Sequence, residues 1–298
     1  MPELPEVETI ARQLDQVIVG KKIAKVVVLS TKSFLGDSRE LIGKKIDKVD
    51  RHAKMVVWHL DDAGRSVMIH LKMTGQLVWR PAAAGRPKKD NIKEGEYKGR
   101  QVVGGHPSED WNLDLPNKHT RVVIDFADGS RLFFNDLRKF GWIKLVKSEE
   151  LAKALIKMPP DIIDSVFTLE FFSKVLASSR RAVKLVLMDQ AKIGGVGNIY
   201  ANDALNLAKV DPGRAANSLQ SFELKKLYLG TRKVINLGIK YGGATYSDYR
   251  DTRGQGGRYQ EHFLVYNREG EKCHNCDGTI KKIHLGGRGT YFCPKCQK

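Results

Sequence analysis

Two groups of residues in this 298-residue chain have types and spacings that can do chemistry, and they lie at its two ends. Near the end, Cys273-His274-Asn275-Cys276 and Cys293-Pro294-Lys295-Cys296 form two C-x2-C pairs with sixteen residues between them. Each pair turns two thiolates toward one tetrahedral centre, the pattern of a structural zinc site. Four sulfurs close the shell of one structural Zn2+ ion and leave no open position for catalysis, with His274 and His284 as substitute ligands. Residues 279–284 and 290–292 read as a hairpin too small to fold without that staple. At its tip, Gly286-Gly287-Arg288-Gly289 sets one Arg on bare backbone, which reads either as a solvated tip or as a phosphate or minor-groove contact.

The chain opens Met1-Pro2-Glu3-Leu4-Pro5-Glu6. A small second residue permits methionine removal, and the freed amine has an ordinary pKa near ~8 against ~10.4 for lysine, so a useful fraction is neutral near physiological pH. Such an amine can attack the anomeric carbon of a deoxynucleotide, expel the base and leave an iminium ion that acidifies the neighbouring C–H for elimination. Glu3 is placed to shuttle protons between amine and ring oxygen. Glu6 shares its helix face and is a candidate for the base pocket. Taken alone, the same residues are better explained as a helix start with carboxylates near the positive end of the dipole.

The rest of the chain must position these groups. Helical spacing over 3–19, with Gly20 as a stop, predicts a leading helix. Short β-branched or aromatic runs at 26–29, 55–60, 67–71, 122–126, 132–134 and 142–146 predict strands, so residues 1–147 read as a β-sandwich with that helix in front. Residues 149–158, 169–177, 182–189, 199–207 and 219–240 predict helices. The fold class is therefore multidomain α+β: a sandwich over 1–147, a helical domain over 148–262 and a β-hairpin zinc finger over 263–298. The glycine-rich turn Lys192-Ile193-Gly194-Gly195-Val196-Gly197-Asn198 reads equally as an anion-binding helix start and as a helix–helix turn with Asn198 as N-cap. Residues 80–116 carry little periodicity and form a long insertion whose role is not legible.

Composition narrows the partner. Lys and Arg outnumber Asp and Glu by 51 to 34, a net charge of +17, and the excess is spread over the chain. That favours a polyanion, with nucleic acid ahead of an anionic membrane surface. The acidic start lacks a signal-peptide pattern and no apolar run approaches the ~20 residues of a membrane span, so a soluble cytosolic protein is expected. Clustering of all four cysteines then favours metal over disulfides.

Five segments carry a family resemblance: Met1-Pro2-Glu3-Leu4-Pro5-Glu6-Val7-Glu8-Thr9, His70-Leu71-Lys72-Met73-Thr74-Gly75, Asp136-Leu137-Arg138-Lys139-Phe140-Gly141, Gly195-Val196-Gly197-Asn198-Ile199-Tyr200-Ala201, and the four-cysteine finger. In that order they resemble the bacterial formamidopyrimidine-DNA glycosylases, the Fpg side of the Fpg/Nei family. The resemblance spans nearly the whole chain. It implies a glycosylase with AP lyase activity on oxidised purines, working by β,δ-elimination through a Schiff base. The implied setting is a monomer on damaged double-stranded DNA at the nucleoid of the bacterial cytoplasm. Pro2 would be the catalytic amine and Glu3 the shuttle, while Lys54 would contact the phosphate beside the lesion. Met73, Arg138 and Phe140 would enter the stack where the damaged nucleotide is flipped out, the apolar pair filling the gap and Arg138 meeting the orphaned cytosine. His70, His119 and Asn198, the last in a helix–two-turn–helix motif, would hold DNA, with Lys184 a lesser contact. Arg288 would grip the same backbone region and counts with the catalytic set. Residues 245–259 would cover the flipped base. The insertion is longer than the resemblance leads one to expect, and Thr74 stands at a position where members vary.

Two alternatives compete. A Nei-type enzyme shares the Pro/Glu start but prefers oxidised pyrimidines; Leu4 and the Met73, Arg138, Phe140 set favour the Fpg type. A zinc-finger protein that binds damaged DNA without catalysis fits composition and finger equally well. In either reading several phosphates are neutralised, so affinity for a duplex should fall on the order of 10³-fold between 50 and 200 mM salt. A fluorescence-anisotropy titration with a flat salt response would refute the polyanion assignment.

Overall fold

A computed structural model describes residues 2–62, 64–82, 102–105, 115–244 and 257–298. Most of the insertion and most of the expected base-covering loop, together with Met1, lie outside the described residues. The chain forms two compact units, Met1–Ile156 with Gly242–Arg258, and Lys157–Tyr241 with Tyr259–Lys298.

In the first unit, α1 (Leu4–Ile18) buries Leu4, Val7, Ile10, Ala11, Leu14 and Ile18, the residues its 3.6 period places on one face. It ends at Val19 in extended conformation, and Gly20 follows at φ +83°. The strands are β1 (Ile23–Val28), β2 (Phe34–Leu35), β3 (Ile46–His52), β4 (Met55–Leu60), β5 (Arg65–His70), β6 (Gly75–Arg80), β7 (Val102–Gly105), β8 (Thr120–Phe126), β9 (Arg131–Asp136) and β10 (Trp142–Lys147). They make two five-stranded sheets, β1-β8-β9-β6-β7 and β2-β10-β5-β4-β3. One core joins them to α1, with Trp58 and Ile69 from one sheet, Leu77 and Phe134 from the other, and Ile10 and Leu14 from the helix. Among the described strands of the two sheets, β2 alone pairs in parallel, with β10. The expected sandwich is present, and the short β2, the charged β3 and the strands β6 and β7 add to the six runs that composition marked.

The second unit holds α3 (Leu169–Ala177), α4 (Val183–Leu187), α5 (Asn198–Ala208), α6 (Ser221–Lys240) and the hairpin β11 (Lys281–Leu285) with β12 (Arg288–Phe292). The unit boundaries differ from those read in the sequence. α2 (Ser148–Lys157) lies almost wholly in the first unit, because the Ser148 N–H donates to the Gly64 carbonyl at 2.9 Å and extends the β10–β5 pairing. Gly242–Arg258 also returns there, where Ala244 bridges Arg258. The finger packs with the helices in the second compact unit.

That union runs along one face of α5. Asn202 Oδ1 accepts the Tyr291 N–H at 2.9 Å, and Asn206 Nδ2 donates to Gln297 Oε1 at 2.9 Å. Asp203 accepts from the Tyr259 hydroxyl at 3.0 Å and from the Val265 and Tyr266 N–H groups at 3.0 and 3.2 Å. Burial pushes its carboxyl up to about 6 in spite of these donors. On the opposite side α5 meets α6 through Gly238, where a Cβ would lie 2.5 Å from the Tyr200 ring. Gly238→Ala should therefore cost about 1–3 kcal/mol. Thermal unfolding that leaves the midpoint unchanged would show that the two helices can part without penalty.

Candidate functional site

The start of α1 is built from buried charge. Glu3 and Glu6 are 4 and 3% exposed, and Pro2 is buried beside them. The Glu3 N–H donates to Glu6 Oε2 at 2.8 Å, while Glu6 Oε1 accepts the Ala244 N–H at 2.7 Å. Gly243 turns at φ +87°, and a Cβ there would sit 2.7 Å from the Glu6 carboxyl. Glu6 thus ties the helix start to the returning segment Gly242–Arg258, a contact that no local sequence signal reveals.

The β3–β4 turn carries Lys54, only 6% exposed, after Ala53 at φ +51°. Arg51 governs this turn. Its Nε pairs with Glu8 at 2.7 Å and its Nη1 donates to the Ala53 carbonyl at 3.1 Å. Helix and turn are pinned a second time where Asp15 accepts the Val49 N–H at 2.9 Å. The Arg51 and Arg12 guanidiniums hold the Glu8 carboxyl below its usual range against a burial that raises it.

Lys54 also acts on His70 at the end of β5. Burial, reinforced by the Lys72 and Lys54 charges, pushes the His70 imidazole down to about 4. His70 Nδ1 accepts the Lys72 N–H at 3.0 Å, which puts the ring proton on Nε2. A neutral donor at that position can meet a phosphate oxygen without adding charge.

Two turns of the first unit present the remaining side chains. One holds Lys72, Met73 and Thr74 before β6; the other holds Leu137, Arg138, Lys139 and Phe140 after β9. Phe140 is 56% exposed and Leu137 48%, unusual for apolar residues flanking an Arg whose guanidinium lies 4.9 Å from the Phe140 ring. Met73 is half-buried. His119 is half-buried just before β8, and its carbonyl accepts the Asp136 N–H at 2.9 Å.

In the second unit the glycine-rich turn is set by Gln190, which donates to the Val196 carbonyl at 2.7 Å and accepts the Gly195 N–H at 3.0 Å. Gly194 packs on Asp161, leaving no room for a side chain. The N-cap of α5 is Gly197, so the reading of Asn198 as cap is corrected. Asn198 is the first helical residue, and its Nδ2 donates across to the Gly289 carbonyl at 3.2 Å. Lys184 differs from expectation too. It is wholly buried, with Nζ donating to the Gly289 carbonyl at 3.0 Å and Thr290 Oγ1 at 2.7 Å. An ammonium so enclosed supports the hairpin rather than standing open to a phosphate. Arg288, beside it, is exposed. Gly286 and Gly287 turn at φ +57° and +71°, and the tip rests on Leu185, where a Cβ on Gly286 would clash at 2.5 Å.

The four sulfurs of Cys273, Cys276, Cys293 and Cys296 lie within 4.8 Å of one another. The Cys273–Cys296 and Cys276–Cys293 separations of 3.8 and 3.5 Å approach the ~3.8 Å edge of a tetrahedron with Zn–S bonds of ~2.3 Å. The Asn275 and Gly278 N–H groups point at Cys273 and Cys276 sulfurs at 3.4 Å, the support a thiolate needs. Donor set and geometry suit zinc. Among the described residues no other cluster could hold a metal, and no helix is long and apolar enough to cross a membrane.

Comparison with known proteins covers nearly the whole chain. Residues 1–143 match the formamidopyrimidine-DNA glycosylase N-terminal domain, residues 158–250 the H2TH domain of the same glycosylases, and residues 270–298 a zinc finger found in FPG and IleRS. The formamidopyrimidine-DNA glycosylase of Pelotomaculum thermopropionicum is 38% identical over all of this chain and 99% of its own. That of Ligilactobacillus salivarius is 36% identical with the same coverage. Among solved structures, Lactococcus lactis Fpg in complex with abasic-site DNA is 29% identical with a TM-score of 0.81, and a mutant of it with Fapy-dG DNA is 30% identical with a TM-score of 0.83; both cover 100% of each chain.

The His70 environment makes a direct prediction. As pH falls below ~6.5 the unfolded chain takes up the imidazole proton first, so the stability this group contributes is present above ~6.5 and is lost toward 4. An NMR titration should find His70 neutral at pH 6, and a midpoint near 6.5 would contradict the burial argument.

Proposed function

Because the chain belongs to the formamidopyrimidine-DNA glycosylase family, we propose that it excises oxidised purines from damaged duplex DNA and cleaves the strand at the resulting abasic site. The observation that carries this reading is the burial of Glu3 at 4% exposure next to a buried Pro2, with Lys54 buried at 6% on the β3–β4 turn that Arg51 ties to the same helix. The capping box that Glu3 shares with Glu6 holds its carboxylate next to Pro2, while burying the Lys54 ammonium costs several kcal/mol that a solvated turn lysine would avoid.

In this reading Met1 is removed and the Pro2 nitrogen attacks C1′ of the extruded nucleotide. The C1′–base bond breaks and the base takes a proton from solvent; the C1′–O4′ bond then breaks as the nitrogen lone pair forms an iminium ion that links Pro2 to the opened sugar. Glu3 delivers a proton to the ring oxygen and accepts the one released by the amine. The iminium withdraws electrons from C2′, whose proton is lost as the 3′ C–O bond breaks in β-elimination; loss of the 5′ phosphate by δ-elimination follows. Lys54 and the neutral His70 hold the phosphate beside the lesion, and His119 supports the strand. Met73 and Phe140 fill the emptied stack while Arg138 meets the opposite cytosine.

Glu6 borders the base pocket through its hold on Ala244. Asn198 and Arg288 bind the DNA backbone, and Lys184 contributes by holding the hairpin that carries Arg288. One zinc ion would tie the two cysteine pairs and supply structure, with no part in the reaction. The protein is taken to act as a monomer in the bacterial cytoplasm at the nucleoid. The exposed Arg138 and Phe140 favour this over the Nei-type reading.

Glu3→Gln should lower single-turnover excision of 8-oxoguanine opposite cytosine by ~10²-fold or more while lesion affinity stays within ~3-fold. Equal loss of binding and excision would make Glu3 a structural residue and remove the proton-shuttle assignment.

A further inference from the structure

The two turns that carry Met73 and Arg138/Phe140 are separated by more than sixty residues in sequence, yet they share one buried carboxylate. Asp136 is 0% exposed and is the last residue of β9, paired with Gly75, the first of β6. Its N–H donates to the His119 carbonyl at 2.9 Å and its carbonyl accepts Arg121 Nε at 2.8 Å, so its backbone is held from both sides. Asp136 Oδ1 accepts the Thr74 hydroxyl and the Arg138 N–H at 3.1 Å, and Oδ2 accepts the Gly141 N–H at 2.6 Å. The Arg138 N–H is shared with Thr74 Oγ1 at 3.0 Å. Among the described residues no cationic side chain pairs with this carboxylate; its donors are the hydroxyl of one turn and two N–H groups of the other.

Asp136 to the Arg138 N–H is by itself an ordinary Asx turn. What exceeds that is the Thr74 hydroxyl, which reaches from the other strand into the same group. Both turns also hold a lysine in left-handed backbone, Lys72 at φ +52° and Lys139 at φ +57°, a conformation that β-carbon residues adopt only where neighbours enforce it. Neither turn can readily reshape. A Cβ on Gly75 would lie 2.3 Å from the Leu71 carbonyl, and one on Gly141 would lie 3.1 Å from Asp136 Oδ2.

The geometry points to Thr74 and Asp136 as a latch that makes Met73, Arg138 and Phe140 enter the DNA stack as one rigid wedge. Both are positioning residues for nucleotide extrusion. This rests on the functional reading above, in which those three side chains fill the gap. Without the latch, each turn must find its inserted geometry separately, and the ordering cost falls on the extrusion step. Steps after extrusion do not use the wedge. Thr74 thereby gains a specific task.

The test uses the full chain and three variants, Thr74→Val, Thr74→Ser and Asp136→Asn. A 2-aminopurine beside 8-oxoguanine in a duplex reports unstacking as the wedge enters, and strand cleavage at an abasic site in single-stranded DNA reports chemistry with no stack to fill. Thr74→Val should slow the unstacking signal and duplex excision by at least ~10-fold while single-strand cleavage stays within ~2-fold, and Thr74→Ser should restore both. Asp136→Asn should show the same split more strongly; if it does not fold, the Thr74 pair decides. Wild-type unstacking in Thr74→Val, or equal slowing on both substrates, would overturn the latch. A wild-type chain that neither excises nor cleaves would instead overturn the functional reading, and the latch with it.

Discussion

The start of α1 in the first unit depends on a carboxylate with both oxygens committed. Glu6 takes the Glu3 N–H on one oxygen and the Ala244 N–H on the other, at 3% exposure. A buried carboxylate is tolerable only when such donors replace its water, so the helix start and the returning segment must sit where they can supply them. This fixes Pro2 and Glu3 at the head of α1 more firmly than helix propensity does. A frayed first turn, the usual state of a helix end, would orphan Glu6.

The same device recurs. Arg51 couples Glu8 on α1 to the turn before Lys54, and Asp136 joins two turns across the sheet. In the second unit, Asn198, Asn202, Asp203 and Asn206 line α5 and grip the finger through side-chain hydrogen bonds. A 36-residue finger has little core of its own, so zinc closes its sulfur end while α5 fixes its hairpin. In both units the apolar cores set where the elements lie. Buried polar groups set the angles of the turns that carry the candidate site residues.

The repetitive physics was legible in the sequence. Period 3.6 over α1, short apolar runs such as that at 55–58, and paired cysteines each leave a local signature, and each appears in the fold. β3 was hidden because Asp47, Lys48, Asp50 and Arg51 break its apolar pattern, although Ile46 and Val49 face the core. Of the candidate site, the four cysteines were legible because their spacing alone brings their sulfurs together. Glu8, Arg51, Gln190 and Asp136 were not singled out, because each acts through a partner distant in sequence or through backbone groups that have no letter code. Lys184 shows the converse: its letter suggests an open cation, and only burial reveals a support for the hairpin.

The central claim is that the Pro2 nitrogen forms the covalent bond to the sugar, and mapping that bond tests it most directly. Borohydride reduction during turnover on abasic-site duplex DNA, followed by proteolysis and mass spectrometry, should place the sugar remnant on an N-terminal peptide that begins at Pro2. A remnant carried by Lys54 or any other lysine, or an N-terminal peptide that retains Met1 in active enzyme, would contradict it.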